Sequence, residues 1–145
     1  MTSREQIGRV IAAEALSWVG TPFAPHSCVK GAGCDCVQLA MGVYKAVGLW
    51  PAMASYPSYK LDTGSHLQAS QVIGWALDCP WMQPEDKAII GSAVTFKIAR
   101  VAHHIGIMIS DTKFVHCWRK CGVTEADIRD PTWQSRLVSV WGPKL

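Results

Sequence analysis

No stretch constrains this chain as tightly as Gly31-Ala32-Gly33-Cys34-Asp35-Cys36, which runs straight into Val37-Gln38-Leu39-Ala40-Met41-Gly42-Val43-Tyr44. A glycine-rich loop meets Asp35, a residue type suited to opening a helix, and Leu39, Val43 and Val47 then recur four apart on one helical face. The pattern predicts a helix from Asp35 to about Val47 that closes at Gly48 in a left-handed cap. Cys36 falls in its first turn. There the unpaired backbone N–H groups and the positive end of the helix dipole favour a thiolate over a thiol, and the same groups can help to hold an oxyanion. A free cysteine also serves as a small buried hydrophobe, and the loop alone does not choose between the two readings.

The rest of the chain supplies a core for that helix. Ser3 and Gln6 have capping-box spacing, and Ile7, Val10, Ile11, Ala15 and Trp18 follow at helical intervals, which predicts a first helix over Arg4 to Val19. Thr21-Pro22-Phe23 breaks it, and Ala24 to Gly33 reads as a loop carrying His26. A further helix is expected over His66 to Leu77, in a middle third punctuated by proline. Beyond it the pattern changes: Ala93–Ile98, His104–Ile109, Phe114–Trp118 and Leu137–Trp141 favour strands, with Asp111-Thr112-Lys113 as a hairpin turn. Helices first and an antiparallel sheet after them mean an α+β fold. A length of 145 residues at 49% hydrophobic composition fits one domain over 1–145.

Charge and cysteine usage narrow the function classes. The formal net charge is only +3 and the Lys and Arg are scattered, which gives no argument for nucleic acid. Met1 to Gln6 carries an acid and leads into an amphipathic pattern, so it reads as neither a signal peptide nor a membrane span. Six cysteines without a secretory signal are expected to be reduced after synthesis in a cytoplasm, with export inside an assembled particle left open.

A cysteine nucleophile requires a base and something to orient that base. On a strand from Val101 to Ile109, His104, Gly106 and Met108 share one face while Ile105, Ile107 and Ile109 share the other, which should be the core face. His103 lies on the isoleucine side and reads as structural. On the following strand Phe114, His116 and Trp118 share a face, so pairing through the turn brings His116 towards the second ring nitrogen of His104. Either histidine can equally be a satisfied polar group at a sheet edge.

Taken together, Trp18-Val19-Gly20-Thr21-Pro22-Phe23, Gly33-Cys34-Asp35-Cys36 at a helix start, His104-Ile105-Gly106-Ile107 and Val115-His116 resemble the NlpC-type papain-like peptidases of bacterial cell walls. The length, the Gly-x-Gly-Cys-Asp-Cys loop and the ending from Trp133 to Val138 are similar to the branch encoded in phage and gene-transfer-agent tail clusters. The resemblance implies a papain-like core, with the nucleophile helix packed on an antiparallel sheet that bears the histidines. It implies hydrolysis of peptidoglycan stem peptides, typically between D-γ-glutamyl and a diamino acid. Carried over by residue, Cys36 is the nucleophile, His104 the general base and acid, His116 the orienting residue, and Asp35 a contributor to binding the stem peptide's free amine. Phe23 occupies a substrate-binding position where the family usually has Tyr, and Val37-Gln38 replaces the usual Ser-Gly, so polar contacts to the stem peptide are lost. No metal or cofactor is implied. The expected partners are the stem peptide and other tail or virion proteins, with no nucleic acid and no membrane insertion, and the site of action is the periplasm or cell wall.

Three alternatives remain at this point. An acyltransferase can use the same triad, because an amine as well as water resolves a thioester. A metal or iron–sulfur module can be imagined on His26, Cys28, Cys34 and Cys36 with Cys117 and Cys121, though C-x5-C-x-C and C-x3-C lack the C-x2-C knuckles of common zinc sites. A structural tail-tip subunit can keep the fold with little activity.

Overall fold

The computed structural model describes residues 3–54, 79–98 and 101–145, together with Gly74. The helix expected over His66 to Leu77 lies, Gly74 apart, outside the described residues.

The first helix, α1 (Arg4–Leu16), begins with a complete capping box: the Ser3 side chain accepts from the Gln6 N–H, and the Gln6 side chain accepts from the Ser3 N–H. It ends at Leu16 with a Ser17 cap, three residues short of Val19, because the backbone tightens there into turns and the Gly20 N–H donates to the Val123 carbonyl at the sheet edge. A small hairpin follows, β1 (Cys28–Val29) against β2 (Gly33–Cys34), and leads directly into α2 (Cys36–Ala46). Asp35 is the N-cap of α2, Val47 its C-cap, and Gly48 follows at φ 79°, as the apolar spacing and the glycine predict.

The sheet comprises β3 (Met82–Pro84), β4 (Ala93–Ile98), β5 (Val101–Met108), β6 (Lys113–Trp118), β7 (Gly122–Asp127) and β8 (Leu137–Pro143). Its order is β3-β8-β4-β5-β6-β7 and every pairing is antiparallel. The four expected strands are all present, and the fold is α+β. β7, β3 and the β1–β2 hairpin were not foreseen, nor was α3 (Pro131–Gln134), a single turn between β7 and β8.

α2 packs on one face of the sheet. Val37, Leu39, Ala40, Val43 and Tyr44 bury against Ile105, Ile107, Val115, Cys117 and Val123, so the isoleucine side of β5 is a core face. The opposite side is not solvent. Val94, Phe96, Met108 and Phe114 form a second buried cluster there, covered by Ile128, Trp133, Leu137 and Val140. Ile128 and Trp133, from the segment between β7 and β8, pack on that face beside Leu137 and Val140 of β8, which is why Met108 is fully buried although it shares the histidine side of β5.

An ion pair ties α1 to the sheet. Arg4 Nε donates to Glu85 Oε2 at 2.7 Å and its guanidinium donates again to Oε1 at 2.9 Å, while Arg4 also donates to the Ile90 carbonyl and Ser92 Oγ donates to Glu85. Burial pushes the Glu85 carboxyl up, but the hydrogen bonds from Arg4 and Ser92 outweigh it and hold it below the usual carboxylate range. Arg4→Ala strands that carboxylate in a half-buried place and is expected to lower stability by about 2–3 kcal/mol, measured by urea unfolding. Glu85 contributes its share above its ordinary carboxylate range, and that share is lost as pH falls through its depressed folded value. In the Arg4→Ala variant this acid-side loss should shrink.

Candidate active site

The start of α2 is fixed from both sides of Asp35. Its Oδ1 accepts from the Gln38 N–H at 2.8 Å, the N-cap bond, and Oδ2 accepts from the His26 N–H at 2.7 Å. His26 itself has φ 64°, a left-handed conformation that a non-glycine residue adopts at some strain, so the loop ahead of the helix is bent to meet the carboxylate. Phe23 bridges to Cys34 in a parallel pairing, and the Arg119 guanidinium lies 5.7 Å from the centre of its ring.

Cys36 is buried, and its sulfur receives backbone N–H groups from Ile105 on β5, from Val37 and from itself. Burial is the dominant influence on this thiol and pushes it up to about 12; the Asp35 charge adds to it, and the N–H groups only partly offset it. This corrects the expectation of a thiolate. The helix start does supply the N–H donors, but desolvation wins, so the resting side chain is a thiol.

The two histidines meet as the strand alternation predicts. His104 pairs across β4 with Phe96, His116 pairs across β5 with Gly106, and the two rings join through His104 Nε2 and His116 Nδ1 at 2.8 Å. Both are buried. Burial lowers His116 to about 4, so it stays neutral near pH 7. A neutral His116 that accepts at Nδ1 requires His104 to donate from Nε2, which leaves Nδ1 as the nitrogen of His104 that exchanges protons; this is a tautomer assigned from the hydrogen bond. Ile105, whose backbone N–H acts on the Cys36 thiol, is the residue next to His104, so the start of α2 and the histidine pair address adjacent residues of β5.

Aromatic rings surround the pair. The Trp133 ring stacks on His104 at 5.7 Å and 25°, and stands edge-on to His116 at 4.9 Å and 74°. Trp118 is edge-on to His104 at 5.1 Å. Sequence reasoning used Trp133 as the start of the segment to Val138 and gave it no part beside the histidines. Asp130 and Pro131 carried the signal that would have found its turn: an N-cap side chain, which accepts from the Thr132 N–H, followed by proline at the first helical position.

The cysteines proposed as metal ligands do not converge. Among the described residues no group of three His, Cys, Asp or Glu side chains is arranged to hold a metal ion, and no helix is long and apolar enough to cross a membrane. Cys117 instead donates its thiol to the Cys34 carbonyl at 3.1 Å, while Cys28 and Cys121 are exposed.

The depressed His116 makes the fold acid-sensitive. Its folded value of about 4 lies below the ordinary 6.5, so between these limits the unfolded chain binds a proton that the folded chain refuses, and stability falls as pH falls. The loss should reach at most about 3 kcal/mol by pH 4, read as a falling thermal midpoint. His116→Gln should flatten the slope across that window, and an unchanged slope would show that His116 is not its source.

The NlpC/P60 family model matches residues 18–142. Among solved structures, a Staphylococcus aureus protein described as similar to lipoprotein, NLP/P60 family, superposes with a TM-score of 0.64 at 20% identity, over 98% of this chain and 43% of that one. The chain thus spans less than half of that protein. The P60 domain of an M. avium paratuberculosis antigen superposes with a TM-score of 0.60 at 14% identity, over 98% of this chain and 96% of that one. The NlpC/p60 domain of the peptidoglycan hydrolase SagA gives 0.59 at 16% identity, over 92% and 96%. At these identities the likeness is one of fold. Comparison with curated proteins gave no match.

Proposed function

Because the chain belongs to the NlpC/P60 family, we propose that it is a cysteine peptidase that hydrolyses an amide of the peptidoglycan stem peptide, with Cys36 as nucleophile, His104 as base and acid, and His116 as the residue that orients His104. The observation that carries this reading is the buried His104–His116 hydrogen bond at 2.8 Å, on the strand against which the Cys36 helix packs.

In the reaction His104 Nδ1 takes the Cys36 proton as the sulfur attacks the scissile carbonyl, which fits a thiol that burial keeps protonated at rest. The Cys36 N–H supports the oxyanion. The imidazolium then gives its proton to the leaving amine as the C–N bond breaks. Water, deprotonated by the same nitrogen, attacks the thioester and restores the thiol. His116, neutral and accepting from Nε2, keeps His104 in one tautomer throughout.

The proposed bond is D-γ-glutamyl to a diamino acid, with Asp35, buried beneath the start of α2, contributing its charge to binding the stem peptide's free amine. Phe23, half-buried and lacking a hydroxyl, would contribute a ring face to the substrate. The setting we propose is a phage tail or gene-transfer-agent particle that opens the host wall, on the strength of the resemblance carried by the Gly31–Cys36 loop and the Trp133–Val138 segment. Digestion of purified peptidoglycan, with mass spectrometry of the fragments, tests the reading. Cleavage within the stem peptide supports it and identifies the bond; transfer of the acyl group to added amine in place of water would favour the acyltransferase, and no cleavage by the folded protein would favour a structural subunit.

A further inference from the structure

Among the rings around the histidine pair, Trp133 differs in orientation. It presents its face to His104 at 25°, yet lies nearly perpendicular to His116, Phe114 and Trp118, at 74°, 86° and 88°. Trp118 and His116 in turn meet His104 edge-on, at 88° and 86°. So of the two imidazoles, His104 alone stacks on the indole face, and the negative face of an aromatic ring favours a cation stacked on it.

The backbone that carries Trp133 is pinned on both sides. The Trp133 N–H donates to the Asp130 carbonyl at 2.9 Å, its carbonyl accepts from the Arg136 N–H at 3.0 Å, and the Arg136 carbonyl accepts from Lys97 on β4 at 2.7 Å. Phe96 and Phe114 hold the indole edge-on, at 5.0 and 5.5 Å between ring centres. These contacts hold the indole against the imidazole from a fixed backbone.

We propose that Trp133 is a positioning residue: its face holds the His104 ring in register with His116 and stabilises the imidazolium that forms when His104 takes the Cys36 proton. The inference rests on the proposed roles of Cys36 and His104. It adds a reason why the proton settles on His104 and not on its hydrogen-bonded neighbour, which is equally buried but only meets the indole edge-on.

The test replaces Trp133 by a ring-fluorinated tryptophan, introduced by nonsense suppression, which keeps the shape but withdraws charge from the ring face. Trp133→Phe and Trp133→Leu accompany it. Two readouts are followed: kcat and KM on stem-peptide substrate, and the rate at which iodoacetamide alkylates Cys36 at neutral pH, read at that peptide by mass spectrometry. We expect fluorination to lower kcat and the alkylation rate about five- to tenfold with KM and thermal midpoint unchanged, Phe to retain most of the activity, and Leu to lose more than either. The alkylation readout needs no substrate, so it tests Trp133 even if the wild type proves unable to cleave peptidoglycan, a result that would sink the proposed function instead. Equal rates in the fluorinated and native proteins overturn the proposal and leave Trp133 as packing.

Discussion

Cys36→Ala is expected to reduce stem-peptide cleavage by at least about 10³-fold, because it removes the atom that forms the covalent intermediate and leaves only binding and oxyanion support. His104→Ala should lose nearly as much. Burial holds the Cys36 thiol up to about 12, so without His104 almost no thiolate is present at neutral pH. The decisive result is the double variant. Nucleophile and base act as one unit, so Cys36→Ala with His104→Ala should be no slower than the worse single variant, whereas two independent contributions would multiply. The fold should survive Cys36→Ala, since one sulfur atom leaves a small gap beside the Ile105 backbone, and a thermal midpoint within a few degrees of wild type will show it. Retained cleavage in Cys36→Ala would transfer the role to another thiol. Cys34 is fully buried, and the Cys117 thiol donates to the Cys34 backbone carbonyl, which makes it a poor substitute.

Strong local signals made the helix start and the histidine pair readable in the sequence. Asp35, the four-residue apolar spacing and Gly48 define α2 to within a residue at either end, and period-two alternation on two strands joined by a short turn is enough to bring His104 to His116. What could not be read depended on distant packing. The sign of the Cys36 shift needed its burial, since the helix N-terminus taken alone argues the other way. Both sides of β5 are buried because Ile128 and Trp133, from the segment between β7 and β8, pack on the second side, and nothing in the alternation of His104, Gly106 and Met108 reports what covers it. β7 escaped for a simpler reason: Gly122, Glu125, Ala126 and Asp127 have little strand preference, and only pairing with β6 makes them a strand.

That same edge strand supports the approach to the site, and Gly122→Ala should reveal it. Gly122 opens β7 at φ 68°, and a Cβ there would overlap the Thr21 carbonyl oxygen and come within 3.1 Å of the Pro22 Cα. The Thr21 carbonyl already accepts from the Val123 N–H at 2.9 Å, and the chain continues through the Pro22 carbonyl, which accepts from Cys34 at 3.1 Å, into the hairpin ahead of Asp35 and Cys36. Backbone meets backbone at this point, so no side chain can yield. Gly31 provides the control. It has φ 83° with nothing within 4 Å of its would-be Cβ, so Gly31→Ala should cost only the left-handed strain, about 1 kcal/mol. Gly122→Ala should cost that strain plus the overlap, about 3 kcal/mol, a fall of roughly 10 °C in thermal midpoint for a chain of this size. Cleavage at 25 °C should fall with it, because the displaced strand end moves the lead-in that fixes the nucleophile loop. Equal losses in the two variants would mean that the lead-in gives way freely and that Cys36 is positioned by α2 and β5 alone.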